Sequence, residues 1–131
     1  MENATKKTVE SFLNALLNGD METVAGLIHP DVKWTQPGNN RFSGIRNSAA
    51  EVFEMSAGWQ AVSEGTFRLT GFSPIGVNGD EVACILHFKA TSPGDGLDID
   101  NIDVYSVRDN KIASAKIFSL DQQAEDSFWG N

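Results

Sequence analysis

Proton-transfer chemistry needs an acid or base whose surroundings move its pKa toward neutrality, and two residues here have a setting for it. Asp103 lies in Ile102-Asp103-Val104-Tyr105, with Asn101 and Tyr105 on its own face of an expected strand. A carboxyl enclosed by apolar walls favours its neutral form, so it can donate a proton or a hydrogen bond near pH 7. An exposed strand aspartate, or one salt-bridged at a pocket mouth, is the other reading of the same residues. His87 stands mid-strand in Ile85-Leu86-His87-Phe88-Lys89. Facing inward, it would form a proton-transfer pair with Asp103 on a neighbouring strand; facing outward, it is a surface or interface residue. His29 precedes Pro30 at an expected helix end and reads as structural.

Other chemistries lack their residues. Asp95, Asp98, Asp100 and Asp103 form an acidic run without the spaced oxygen ligands and closing Glu of a calcium loop. Alternation also puts Asp98 and Asp100 on the opposite face from Asp103. No His/Cys cluster suits zinc, no glycine-rich loop joins a strand to a helix, and no Gly-x-Ser-x-Gly elbow occurs. Neither a metal nor a cofactor is expected. Cys84 has apolar neighbours and reads as a small buried hydrophobe. The net charge of -8 argues against nucleic acid and against anionic membrane surfaces, and leaves a small apolar molecule as the expected ligand. With no leader or membrane span to be drawn, the cytoplasm is the expected location.

The elements that must position these groups are legible from periodicity. Val9, Phe12, Leu13, Leu16 and Leu17 form the stripe of one buried helix face. Asn18-Gly19-Asp20 ends that helix and starts a second, whose face is Met21, Val24, Leu27 and Ile28. His29-Pro30 is expected to end the second helix, with a short strand over 31–36 leading into Pro37-Gly38. A third helix is predicted from residue 45 to about 56, with Ile45, Ala49, Val52 and Phe53 on one side. Past Gly58 the period changes to two, with a strand around Phe67 and Leu69. Asn78-Gly79-Asp80 and Asp109-Asn110 read as hairpin turns around strands over 81–91, 97–107 and 112–120. Helices first and a strand meander after them make an α+β fold, expected as a single domain over residues 1–131. Ile102 and Val104 lie on one side of their strand; Ile99, Tyr105 and Val107 lie on the other. Apolar groups on both faces predict helices against one and a second subunit, as a homodimer, against the other.

These pieces together carry a resemblance. Phe12-Leu13-Asn14-Ala15-Leu16 with Asn18-Gly19-Asp20, then Leu27-Ile28-His29-Pro30-Asp31-Val32-Lys33-Trp34, Phe42-Ser43-Gly44, Ile102-Asp103-Val104-Tyr105 and Asp109-Asn110-Lys111-Ile112 come in the order and spacing of SnoaL-like proteins. Asp121-Gln122-Gln123 and Asp126-Ser127-Phe128-Trp129 are similar to a subgroup related to ketosteroid isomerase, in the nuclear transport factor two-like superfamily. The resemblance spans nearly the whole chain. It implies a cone, with a strongly curved antiparallel sheet wrapped around the N-terminal helices and a deep apolar pocket at one end. It also implies a homodimer through the outer sheet face. In ketosteroid isomerase a carboxylate base moves the proton while a Tyr and a protonated Asp hold the oxyanion. Laid onto this chain, the base position falls on Gln36, the Tyr position on Phe12 and the Asp position on Asp103. An amide is no base and a phenyl ring no hydrogen-bond donor, so steroid isomerisation itself is not expected. The pocket so implied gathers Phe12, Trp34, Gln36, Phe53, Asp103 and Tyr105. Two functions remain open: proton-transfer catalysis (isomerase, dehydratase, cyclase or hydrolase) on a small apolar carbonyl or hydroxyl compound, or non-catalytic binding of a ligand or partner.

Overall fold

A computed structural model describes residues 2–131. The N-terminal stripe folds as helix α1 (Glu2–Leu17), burying Val9, Phe12 and Leu13, and Asp20 caps the short α2 (Met21–Gly26) by accepting from the Thr23 amide. Strand β1 (Ile28–Gln36) and the three-residue β2 (Gly44–Arg46) precede α3 (Ala49–Val62). Four strands then meander: β3 (Arg68–Asn78), β4 (Glu81–Ala90), β5 (Leu97–Arg108) and β6 (Lys111–Ser119). A last helix, α4 (Gln122–Trp129), closes the chain. The six strands form one curved sheet in the order β2-β1-β6-β5-β4-β3, and α1 crosses its concave face over β3, β4, β5 and β6. This is the α+β cone that the sequence predicts. Bulges in the β3–β4, β5–β6 and β1–β6 ladders add local twist and bend, which helps the sheet wrap.

Five details depart from the expected elements. His29 and Pro30 lie in β1 and not at the end of α2, which stops at Gly26. Pro30 is tolerated there because it falls in the bulge between Ile28 and Lys33, where the ladder needs no N–H from it. Ile45 belongs to β2, is exposed, and pairs with Thr35; α3 begins only after Ser48, whose hydroxyl accepts from the Glu51 amide. α3 also runs past Gly58, which sits where a Cβ would stand 2.7 Å from the Phe42 ring. Finally, the sheet is antiparallel except that β1 runs parallel to β6, an arrangement the long crossover between them permits. Helix α4 was not anticipated at all. No described helix is long and apolar enough to cross a membrane.

Candidate active site

Alternation along β5 decides which groups share a surface. Leu97, Ile99, Asn101, Asp103 and Tyr105 are buried toward the helices, while Asp98 and Asp100 are exposed on the other face. Cross-strand register extends the inner surface: Asp103 lies between Cys84 of β4 and Ile117 of β6, and Asn101 lies beside Leu86. Between this surface and the four helices is a cavity of about 330 Å³. Phe12, Trp34, Gln36, Phe53, Asp103 and Tyr105 all line it. Phe53 is the outermost of them, 38% exposed, whereas Phe12, Trp34, Asp103 and Tyr105 are buried.

Within the cavity Asp103 is 2% exposed. The Tyr105 hydroxyl donates to its Oδ2 at 2.6 Å, and its Oδ1 has no hydrogen-bond partner among the described residues. Burial pushes the carboxyl up to about 7, against the lowering effect of the Tyr105 hydrogen bond and with a further rise from the nearby charge of Glu125. The phenol of Tyr105 is held well above its usual value by burial first and the Asp103 charge second, so it remains a donor. Its ring is fixed edge-on between Phe12 (5.7 Å) and Trp34 (6.2 Å). Gln36 accepts from Trp34 Nε1 at 2.9 Å, which orients the amide and leaves its NH₂ as a donor at the cavity wall. Cys84 is free and buried; desolvation, then Asp103 and Glu10, push its thiol up to about 12, which removes thiolate chemistry near neutrality.

His87 does not join this group. It opposes Asp100 in the β4–β5 ladder and therefore points to the outer face, where it bonds the Asp98 carboxylate and the Thr70 hydroxyl. The His87–Asp103 pair, which required an inward His87, is ruled out by strand parity: the three positions from Cys84 to His87 are an odd number, and Cys84 is the residue that faces inward beside Asp103. His29, in β1, meets Asp109 and Arg108 near the β5–β6 turn. No group of three or more His, Cys, Asp or Glu among the described residues could hold a metal ion.

The structure adds residues that the sequence did not single out. Trp59, Phe67, Phe88 and Trp129 supply an aromatic end to the cavity, with Phe67 stacked on Phe88 at 5.0 Å and edge-on to Trp129 at 5.0 Å. Trp59 Nε1 is, like Asp103 Oδ1, buried without a partner among the described residues. Asn101 and Glu125 are buried polar residues of the same lining. Asn101 shares the alternation that identified Asp103, so period-two counting carried a signal for it; Glu125 belongs to the unanticipated α4.

Comparison with known proteins places this geometry. The SnoaL-like domain family matches residues 9–115. A protein of unknown function with a cystatin-like fold from Xanthomonas campestris is 37% identical, covers 97% of this chain and 98% of its own, and superposes with a TM-score of 0.91. Bal32a, from a soil-derived mobile gene cassette, is 23% identical over 98% of each chain, with a TM-score of 0.89. TerC, co-crystallised with polyporic acid, is 20% identical over 95% of this chain and 98% of its own, with a TM-score of 0.81. At such identities the last two show a shared fold. No curated protein matches the chain.

Proposed function

The chain belongs to the family of SnoaL-like domains, and we propose that it is an acid–base enzyme acting without a cofactor on a small, largely apolar carbonyl or hydroxyl compound. One observation carries this reading. Asp103 offers an unpartnered carboxyl oxygen to an aromatic cavity, while Tyr105 holds the other oxygen in place. A carboxyl so buried keeps its proton near pH 7 and can pass it, or a strong hydrogen bond, to a carbonyl oxygen that gains charge as an enol forms. Tyr105 positions the acid, and the Gln36 amide gives a second donor for a substrate oxygen. A few converging polar groups in an apolar cleft are the usual form of a small-molecule site. That TerC was co-crystallised with polyporic acid supports an organic ligand for this cavity. Steroid isomerisation is not part of the reading, because Gln36 and Phe12 occupy the positions where that chemistry needs a base and a phenol.

The active form in this reading is a cytoplasmic homodimer formed through the outer sheet face. There Ile85, Ile102 and Phe118 are direct cross-strand neighbours on β4, β5 and β6, and Ile85 and Phe118 are exposed.

The test is solvent exchange at the carbon next to a ring carbonyl. Wild-type protein should speed deuterium uptake by α-tetralone in D₂O, and Asp103→Asn should lower that rate by roughly 10²–10⁴-fold, the usual worth of a positioned acid or base. A binding module would take up the ketone equally in both forms without exchange. Equal exchange rates in wild type and Asp103→Asn would remove the enzyme reading.

A further inference from the structure

The cavity holds a second carboxyl. Glu125 of α4 is 5% exposed and lines the same space as Asp103. It stands outside residues 9–115, so it is no part of what matches the family. The Asn101 amide reaches Glu125 Oε2 at 3.2 Å in the orientation its acceptors require, and the Ser119 hydroxyl and the Trp129 indole are the neighbouring donors that favour the Glu125 charge. Among the described residues Asp103 receives a hydrogen bond from Tyr105 alone, and its Oδ1 is unpartnered. Asn101 and Asp103 are two residues apart on one strand face, about 7 Å along β5.

That contrast in donors divides the labour. Donors gathered on a carboxylate favour its charge, and two like charges facing one largely apolar cavity disfavour each other. When the pair holds one proton, the better-solvated charge is on Glu125 and the proton is on Asp103. We propose that Glu125 is the proton acceptor complementary to the Asp103 donor, held in position by Asn101, and that the cavity works as a two-carboxyl device. This rests on the acid–base reading of the cavity given above.

The step balances within the pair. The C–H bond beside the substrate carbonyl breaks and its proton passes to a Glu125 oxygen. The freed electron pair forms the enol C=C bond while the carbonyl π pair moves onto oxygen. That oxygen takes the proton from Asp103 Oδ1. The pair has then moved its proton from Asp103 to Glu125 with no change in its total. Return of a proton to the original carbon gives exchange, and return to a conjugated carbon gives isomerisation.

The neighbours of each group bear on its titration. Glu125 faces Ser119, Trp129 and Asn101, with Asp121 and Asp126 of its own segment adding negative charge; burial is what raises it most. Asp103 faces Tyr105, Cys84 and Glu125. Arg68, the basic residue of the lining, is exposed.

Three measurements on the intact protein test the proposal, with α-tetralone as probe. Glu125→Gln should lower deuterium exchange about 100-fold, abolish the acidic limb of its pH profile, and move the Asp103 carboxyl titration, followed by ¹³C NMR, to lower pH. Glu125→Ala should regain exchange when formate is added, which a residue that merely anchors α4 would not show. In wild type, which removes any question of folding, Asp103 and Glu125 should titrate as a coupled pair, each curve showing a second step at the other's midpoint. Independent single-step curves, or full exchange by Glu125→Gln with Asp103 unmoved, overturn the role of Glu125. If instead Asp103→Asn exchanges at the wild-type rate, the acid–base reading itself fails, whatever Glu125 does.

Discussion

Burial of Asp103 sets a pH dependence on folding. Its carboxyl titrates at about 7 in the folded chain, above the ordinary 3.8, so the folded state binds more protons between those values. The contribution of this group to stability is therefore full below about 3.8 and is lost as the pH rises through about 7. Asp103→Asn keeps the volume and an acceptor for the Tyr105 hydroxyl but has no charge to bury. In thermal or urea unfolding the variant should gain on wild type as the pH rises from 4 to 8, by on the order of a few kcal/mol at the alkaline end. A difference that stays constant with pH would refute the burial of this charge. The raised Glu125 carboxyl pulls the wild-type curve in the same direction, which is why the comparison is made between the two forms and not on wild type alone.

Each element reaches the cavity through a specific local device. Asp121 caps α4 by accepting from the Ala124 amide at 3.1 Å, which aims Glu125 and Trp129 inward one turn apart. Phe42 locks α3 to α4: its ring meets Trp129 edge-on at 5.3 Å and rests over Gly58. Gly58→Ala would favour an isolated helix by up to about 1 kcal/mol, yet here the methyl would stand 2.7 Å from a ring atom. Trp59 and Trp129 both pack edge-on against that ring and limit its retreat. Overpacking of this kind costs about 1–3 kcal/mol, so the variant should be net destabilised by ~1 kcal/mol. Chemical unfolding would show this, and a variant more stable than wild type would mean that Phe42 moves freely. Such contacts explain why Gly58 looked like a helix end: the reason for the glycine is 16 residues away in sequence, on another element.

For the whole molecule, the curved sheet separates two kinds of surface. Its concave face carries Asp103 and looks toward Glu125 of α4; its outer face carries Ile85, Ile102 and Phe118 in a row, with Lys116 lying over the Phe118 ring at 5.7 Å. Exposed Ile85 and Phe118 on either side of half-buried Ile102 suit an interface between identical faces. Wild type should sediment as a dimer at micromolar concentration, and Ile85→Lys with Phe118→Lys should sediment as a folded monomer. A monomeric wild type would exclude this interface.

Much of this architecture follows from the order of residues alone. Helical stripes around Phe12, two-residue alternation through Asp103 and Tyr105, and turns at Asn78-Gly79 and Asp109-Asn110 are local signals, because side-chain period and turn geometry are set within a few residues. They led to an α+β order of helices before strands and to the one face shared by Asn101, Asp103 and Tyr105; the cone and the six residues that meet around one cavity came with the resemblance to SnoaL-like proteins. The side on which His87 lies was open, since alternation within β4 says which residues share a face but not which face is inward; pairing of Cys84 with Asp103 decided it. Helix α4 was silent for a different reason. Eight residues with few apolar positions are held by a cap and by distant aromatic rings, and propensity alone does not stabilise so short a helix. Glu125 reaches the cavity only by that docking, so the second carboxyl, the Asn101 amide bound to it and the unpartnered oxygen of Asp103 exist as a group only once the tertiary structure has brought them together.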